Sequence, residues 1–138
     1  MVGIVLVTHG NLAKELMNVC MGITGGCNQV SIVTFSSSES RQVLCDKVEQ
    51  TICHADKGAG VLILVDSFGG SPSTVCLGMH PNFPVEVISG LNLAMILEAV
   101  YYCDKVSLSE LAKRVEDAGK KGIVNATELY RRKLKSQG

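Results

Sequence analysis

The fold is decided by one stretch of the chain, VLILVDSFGGSP at residues 61–72. A short apolar run that is rich in β-branched residues and closed by glycines is typical of a strand buried on both faces. Ser71 and Pro72 predict a helix start, with Ser71 capping free amides and Pro72 where a missing N–H costs nothing. Asp66 is therefore expected at the carboxyl end of a buried strand, the edge at which parallel sheets bind ligands.

A second stretch near the beginning of the chain has the same layout. Residues 4–7 (IVLV) predict another buried strand, and Thr8-His9-Gly10-Asn11 ends it before a helix for which Asn11 is a suitable N-cap. His9 is therefore expected at the same sheet edge as Asp66. If the carboxylate accepts the Nδ1 proton of His9, Nε2 keeps a free lone pair, and the histidine can serve as a base or a nucleophile.

The same edge offers hydrogen-bond donors for an anion. The amides of Gly10 and Asn11 lie at one predicted helix start, and those of Gly70 and Ser71 lie at another, together with the Ser71 hydroxyl. These donors would suit a phosphoryl group held transiently on His9.

Residue types alone leave ordinary roles open for each member of this group. His9 could be a loop histidine that the backbone satisfies, Asp66 a turn former and Ser71 only a helix cap. His54 and His80 have no carboxylate at a matching position, and both are expected on the surface.

Hydrophobic periodicity places the remaining elements in alternation along the chain. Strands are predicted at residues 30–35 and 85–89, and helices at about 12–22, 40–54, 72–79, 93–102 and 107–121. Such alternation produces a parallel sheet with right-handed crossovers and helices on both faces. We therefore expect one α/β domain over residues 1–138, with a core at 1–121 and a tail at 122–138 that forms a further strand or helix.

Two of the long helices have apolar residues at helical spacing, which identifies the side expected to face the sheet. These stripes are Leu12, Leu16, Val19 and Cys20 in the first helix, and Val43, Leu44, Val48 and Ile52 in the second.

Composition narrows the class of protein. The 138 residues are 46% apolar with a formal net charge of zero, which excludes a disordered chain and offers no electrostatic footprint for nucleic acid. No apolar run approaches the roughly 20 residues of a membrane span. Because Met1 leads directly into a strand, no signal peptide is expected, and a cytoplasmic location is predicted.

The six cysteines include no C-x-x-C pair, the close spacing that metal and redox sites usually show. They are expected to be scattered, reduced thiols, with Cys20 and Cys45 serving as small hydrophobic residues inside helices. A chelatase-like enzyme with His9 as a metal ligand would need a second histidine at another strand end, and we find none there. We therefore predict no metal site and no cofactor.

Three motifs together resemble the IIA component of mannose-class sugar phosphotransferase systems. They are IVLVTHG at residues 4–10, VDSFGGSP at 65–72 and GLNLAM at 90–95. The similarity covers about residues 1–121, and the first two motifs are specific in combination although each is weak alone. Members of the family often have tryptophan where this chain has Phe68.

The resemblance implies a flavodoxin-like sheet with four parallel strands in the order 2-1-3-4, to which the tail could add a strand, and commonly a homodimer. It also implies that His9 accepts a phosphoryl group from the phosphocarrier protein HPr, that Asp66 orients His9, and that the group passes to a IIB protein. The expected IIB protein is a separate chain, with a membrane-bound IIC/IID permease beyond it, so the protein would be peripheral to the membrane.

Two alternative functions use the same fold. One is a regulatory module, in which phosphorylation of His9 alters the activity of a partner and no sugar is moved. The other is the IIA-like subunit of a dihydroxyacetone kinase system. The Gly-Gly-Ser-Pro turn favours the mannose class over this alternative.

Overall fold

The computed structural model describes residues 1–27 and 29–137. Within those ranges the chain forms four strands and six helices. The strands are β1 (Gly3–His9), β2 (Val30–Phe35), β3 (Val61–Val65) and β4 (Val85–Ile88). The helices are α1 (Leu12–Thr24), α2 (Arg41–Ala55), α3 (Ser71–Gly78), α4 (Leu93–Tyr102), α5 (Leu108–Lys121) and α6 (Ala126–Gln137).

The four strands form one parallel sheet in the order β2-β1-β3-β4, which confirms the predicted order and fold class. The two central strands are β1 and β3, and their register pairs Val7 with Val65. Because both strands run in the same direction, their carboxyl ends meet at one edge of the sheet. This register brings His9, the last residue of β1, beside Asp66, which follows β3.

Alternation of side chains along β1 and β3 divides the interior into two cores. Ile4, Leu6, Leu62 and Leu64 face α1, α4 and α5, whereas Val5, Val7, Ile63 and Val65 face α2 and α3. All eight side chains are fully buried. Burial of a side chain of this size stabilises the fold by about 1.5–3 kcal/mol, so the two central strands hold the site on a rigid base.

The buried face of α1 differs from the predicted stripe. Ala13, Met17 and Cys20 are buried, while Leu12 and Val19 are exposed. The prediction is confirmed for Cys20, and Leu16 packs partly buried against the core, whereas it is wrong for Leu12 and Val19. Their neighbours Ala13 and Met17 share the helical period, so periodicity alone does not choose between the two faces. In α2 the prediction is confirmed for Leu44, Val48 and Ile52 and is wrong for Val43, which is exposed.

The start of α3 corrects the predicted role of Ser71. Gly70 is the N-cap, Ser71 already belongs to the first turn of the helix, and Pro72 follows it. The side chain of Ser71 is exposed rather than bonded to the helix amides. The reason is that Gly70 has an extended backbone (φ −84°, ψ 173°) and turns the chain into the helix one residue earlier than expected.

The tail forms the helix α6, which confirms one of the two predicted alternatives, and its described residues add no strand to the sheet. Asn125 accepts a hydrogen bond from the Glu128 amide through Oδ1 at 3.1 Å, which caps the first turn of α6. None of the described residues of α6 is buried. Among the described residues, no helix combines the length and the apolar character that crossing a lipid bilayer requires.

The thiols are all free, as expected, but two of them are not scattered. The sulfur atoms of Cys20 in α1 and Cys27 in the α1–β2 loop are 3.0 Å apart in the interior. Cys76 is also buried, in the core beside α2 and α3, and burial raises its pKa to about 12. Cys76 therefore belongs to the hydrophobic core.

Candidate active site

His9 and Asp66 form a contact at the carboxyl edge of the sheet. His9 Nδ1 lies 2.8 Å from Asp66 Oδ2, and the backbone amide of His9 donates to the same oxygen at 3.0 Å. One carboxylate oxygen thus fixes both the backbone and the ring of the histidine. The sequence predicted that the two residues would meet, and the register of β1 and β3 produces the contact.

The contact determines which ring nitrogen is free. An ionised carboxylate only accepts hydrogen bonds, so Nδ1 of His9 must carry the proton that it shares with Asp66. Nε2 then holds the lone pair. The side chain of His9 is 50% exposed, whereas that of Asp66 is 13% exposed. A reactive nitrogen therefore faces solvent while its orienting group is sheltered.

Asp66 is held in its ionised form. Burial raises the pKa of its carboxyl group, but the hydrogen bonds and charge of His9 more than offset this effect, and the pKa lies below its usual value. Asp66 Oδ1 is buried and has no hydrogen-bond partner among the described residues. The carboxylate therefore relies on His9 for compensation of its charge, which ties the two groups closely together.

The turn after Asp66 leaves space beside Nε2. A Cβ atom added to Gly70 would lie 3.3 Å from His9 Cε1 and 3.6 Å from Nε2, so glycine keeps this approach open. The same position is 3.7 Å from the Ser67 hydroxyl. Ser67 was missed in the sequence analysis because no capping or spacing pattern marks it. Amides in the first turn of a helix, such as that of Ser71, have no acceptor within the helix and can bind an anion.

The turn after His9 is built differently from the prediction. The amide of Gly10 donates to the Phe35 carbonyl at 2.8 Å, so it is not available for an anion. Gly10 instead serves the backbone, because its φ of +54° lies in the left-handed region that favours glycine. Asn11 is the N-cap residue of α1, but its side chain makes no capping hydrogen bond.

Thr8 takes over the capping role predicted for Asn11. Its Oγ1 accepts a hydrogen bond from the Ala13 amide at 3.0 Å, and the side chain is fully buried. Thr8 thus ties the first turn of α1 to the residue directly before His9. Sequence patterns did not indicate this role, because cap signatures place the capping residue immediately before the helix.

Two aromatic rings lie near His9. The Phe35 ring meets the His9 ring edge-on at a centroid distance of 5.7 Å and an interplanar angle of 71°. Phe68 follows Asp66 in the turn and is 78% exposed. His54 and His80 are exposed, as predicted, and lie outside this group.

The described residues contain no group of three or more His, Cys, Asp or Glu side chains that could together hold a metal ion. The arrangement at His9 instead combines a nucleophilic nitrogen, a carboxylate that can balance positive charge on the ring, and helix amides that can receive an anion. Such a set of groups fits the transient transfer of an anionic group to and from Nε2.

Comparison with known proteins identifies the family of this chain. Residues 3–116 match the family model EIIA-man, described as the PTS system fructose IIA component. The chain is 30% identical over 124 residues to the mannose-specific EIIAB component of Escherichia coli, covering 88% of this chain and 38% of that protein. It is 28% identical over 113 residues to the sorbose-specific EIIA component of Lacticaseibacillus casei, covering 81% of each chain.

Solved structures give the same result. The EIIA component from Streptococcus agalactiae superposes with a TM-score of 0.86 at 25% identity, covering 93% of this chain and 99% of that chain. A mannose/sorbose-specific IIA subunit from Enterococcus faecalis gives 0.82 at 26% identity, covering 90% and 93%. The chain therefore belongs to the mannose-class IIA family of sugar phosphotransferase systems, and this membership supports a phosphoryl-carrier role.

Proposed function

We propose that the protein is a phosphohistidine carrier that accepts a phosphoryl group from phospho-HPr on His9 Nε2 and passes it to a IIB acceptor. The observation that carries this proposal is the 2.8 Å contact between His9 Nδ1 and Asp66 Oδ2, which leaves Nε2 open. Relatives named for mannose, sorbose and fructose favour sugar transport over the regulatory and dihydroxyacetone kinase alternatives.

The transfer step needs positioning more than covalent assistance. The Nε2 lone pair of His9 attacks phosphorus in line, a nitrogen–phosphorus bond forms, and the bond from phosphorus to the donor nitrogen of HPr breaks. Phosphorylation at Nε2 leaves a proton on Nδ1 and positive charge on the ring, which the Asp66 carboxylate balances. In the reverse sense, the same geometry releases the group to an acceptor.

The phosphoryl oxygens require hydrogen-bond donors beside Nε2. We assign this role to the amides of Asn11, Gly70 and Ser71 and to the hydroxyl of Ser71, since the Gly10 amide is occupied by Phe35. The Ser67 hydroxyl lies close enough to the Gly70 turn to contribute.

A relay experiment tests the proposed function. Purified phospho-HPr, freed of enzyme I and its magnesium, is mixed with the protein in excess EDTA, and intact mass is followed before and after a IIB domain is added. We expect the protein to gain one phosphoryl group and then lose it to IIB, because the mechanism uses no metal. Failure to gain the group, or a gain that only zinc restores, would contradict a metal-free carrier.

The location of the protein follows from its partners. A carrier that receives its phosphoryl group from HPr and serves a IIB protein coupled to a IIC/IID permease would work in the cytoplasm, at the surface of the membrane. Co-sedimentation with membranes that contain the permease and IIB, but not with membranes that lack them, would support this placement.

We also propose that residues 1–121 form the core of a single domain and that the tail packs on a second copy of the chain. Ile123, Val124, Leu129, Tyr130 and Leu134 are all exposed. A cleft of about 650 Å³ beside β4, an edge strand of the sheet, is lined by apolar residues such as Leu77 and Val87 together with charged residues such as Glu86 and Lys113. Apolar surfaces of this kind mark interaction sites, and a homodimer would cover both.

A further inference from the structure

The α1–β2 connection brings two thiols into contact at the end of α1. Cys20 lies in the penultimate turn of the helix, which ends at Thr24. Gly25 then adopts the left-handed conformation with φ +81°, and its amide donates to the Met21 carbonyl, which turns the chain back on the helix. Cys27 is thereby placed over Cys20 with the two sulfur atoms 3.0 Å apart. A disulfide bond of about 2.05 Å would need a further approach of about 1 Å.

Thr24 completes the cluster. Its hydroxyl lies 2.9 Å from the Cys20 carbonyl and 3.2 Å from the Cys27 sulfur. If the Thr24 hydroxyl donates to the carbonyl, the Cys27 thiol can donate to Thr24, and the Cys20 thiol can donate to the Cys27 sulfur. The three groups form one connected cluster of hydrogen-bond contacts, and in this arrangement the sulfur of Cys27 accepts from Cys20.

A cleft lies beside this cluster and is lined by one of its members, Thr24. Its volume is about 430 Å³, and it lies between the end of α1 and α4, with Thr24, Gly26, Val100 and Lys105 among its lining residues. Cys20 is fully buried and Cys27 is 3% exposed. Thr24 lines the cleft and contacts both cysteines. Since Cys27 keeps a small exposed fraction and Cys20 keeps none, Cys27 is the more accessible of the two.

We propose that Cys20 and Cys27 are a redox-active thiol pair that a low-molecular-weight disulfide, entering through this cleft, oxidises to an intramolecular disulfide. The Cys27 thiol releases its proton to solvent, and the resulting thiolate attacks one sulfur of the small disulfide, forms a mixed disulfide and releases one small thiolate. Cys20 then loses its proton to that thiolate and attacks the Cys27 sulfur, which displaces the second small thiolate, and this thiolate takes up a proton from solvent. In balance, two protein thiols and one small disulfide become one protein disulfide and two small thiols.

The environment of Cys20 supports this order of attack. Burial, together with the hydrogen bond and charge of Cys27, raises the pKa of Cys20 to about 11. Cys20 therefore stays protonated until Cys27 has reacted, and it serves as the resolving thiol. Cys53 serves as a comparison because it is exposed. Without a second thiol beside it, Cys53 can form a mixed disulfide with the small molecule but no disulfide within the chain.

The pair lies away from the phosphoryl site. A helix of 13 residues is about 20 Å long, and His9 precedes one end of α1 while the cysteines occupy the other. We therefore expect the disulfide to form without loss of phosphoryl transfer, so failure of this inference and failure of the proposed function can be told apart.

The test uses the full-length protein in buffers of oxidised and reduced glutathione, followed by acid quenching, alkylation under denaturing conditions and trypsin digestion. Cys20 and Cys27 share one tryptic peptide, residues 15–41, which contains no other cysteine, whereas Cys53 lies in residues 48–57. We expect peptide 15–41 to lose two hydrogens and to show at least about tenfold less alkylation, while Cys53 at most gains glutathione. A peptide 15–41 that stays doubly alkylated while Cys53 reacts would overturn the proposal.

Two serine variants test the roles of the two sulfurs. In Cys20→Ser, the resolving thiol is missing, and Cys27 should accumulate a glutathione adduct on the same time scale as disulfide formation in the wild type. In Cys27→Ser, Cys20 should remain unmodified. An adduct on Cys20 in that variant, or an adduct on Cys27 in the wild type that never resolves, would contradict the proposed pair. Far-ultraviolet circular dichroism of each variant checks that the fold is intact.

Discussion

Asp66 Oδ2 contacts His9 twice, once through the ring nitrogen Nδ1 and once through the backbone amide. The carboxylate therefore does two things at the scale of single residues: it selects the ring nitrogen that carries the proton, and it fixes the direction in which Nε2 points. Gly70 adds the space that an incoming phosphoryl group needs beside that nitrogen.

Replacing Asp66 by asparagine should disturb the protonation and orientation of the His9 ring while the fold is kept. An amide in place of the carboxylate can present its NH₂ group to Nδ1 and cannot balance positive charge on the ring, so transfer from phospho-HPr should slow by at least about tenfold. The matched control is Asp46→Asn on the exposed face of α2. Rapid-quench experiments measure the rate of phosphoryl uptake by each variant. A rate for Asp66→Asn within twofold of the wild-type rate would indicate that Asp66 only forms the turn.

The ionisation of Asp66 also predicts a pH dependence of stability. Its pKa in the folded protein is below the ordinary value of 3.8, so the ionised group stabilises the fold above that pH and loses its contribution as the pH falls through the lower folded-state value. The free energy of unfolding of the wild type minus that of Asp66→Asn should therefore shrink from about pH 5 to about pH 2. Urea titrations give this difference, and an increase over the same range would contradict the assignment.

At the scale of elements, two helix starts are coupled to the ends of two neighbouring strands. Thr8 connects the end of β1 to the first turn of α1. Gly70 is the N-cap of α3 and lies in the turn that follows β3. The hydrogen bond of Thr8 therefore links the position of His9 to the start of α1, and the Gly70 turn links the proposed anion-binding amides to the end of β3.

Thr8→Val tests this coupling. Valine has nearly the same shape but cannot accept the Ala13 amide, so the protein should lose about 1 kcal/mol of stability and also transfer phosphoryl groups more slowly. Ser107 caps α5 through the Glu110 amide at the opposite end of the sheet, and Ser107→Ala should cost similar stability. The control should leave the transfer rate unchanged. Equal transfer rates in the two variants would show that Thr8 has no influence on His9.

Local patterns were sufficient to predict the elements of residues 1–121 and the His9–Asp66 pair, because apolar runs and glycine turns mark strand ends directly. They were not sufficient where a distant residue decides the outcome. The Gly10 amide is taken by Phe35 because of the β1–β2 register, and the Cys20–Cys27 contact depends on the left-handed turn at Gly25. Spacing rules for close cysteine pairs do not include such a turn.

At the scale of the whole molecule, the two proposed sites lie apart. The proposed phosphoryl site is at the carboxyl edge of the sheet, the thiol pair lies at the far end of α1, and the exposed tail follows α5. The predicted tail was ambiguous because residues 123–137 lack a complete apolar face of either period, and the helix that forms buries none of its side chains within this chain.

Removal of the tail tests whether its apolar side chains serve a dimer. A chain ending at Gly122 keeps both hydrophobic cores. Removal of the tail should therefore change the free energy of unfolding of the monomer by no more than about 0.5 kcal/mol. Light scattering at micromolar concentration should give the mass of a dimer for the full chain and of a monomer for the shortened one. A full chain that is monomeric, or a shortened chain that remains dimeric, would refute the proposed interface.

The most direct test of the central claim is the site and chemistry of phosphorylation. The wild type, His9→Ala and the exposed control His54→Ala are each incubated with phosphoenolpyruvate, enzyme I and HPr, and the products are examined by intact mass and by phosphorus NMR. We predict one phosphoryl group on the wild type and on His54→Ala, labile in acid and stable in base, with the resonance of phosphohistidine substituted at Nε2. His9→Ala should carry none. Phosphoryl incorporation that persists in His9→Ala would contradict the account.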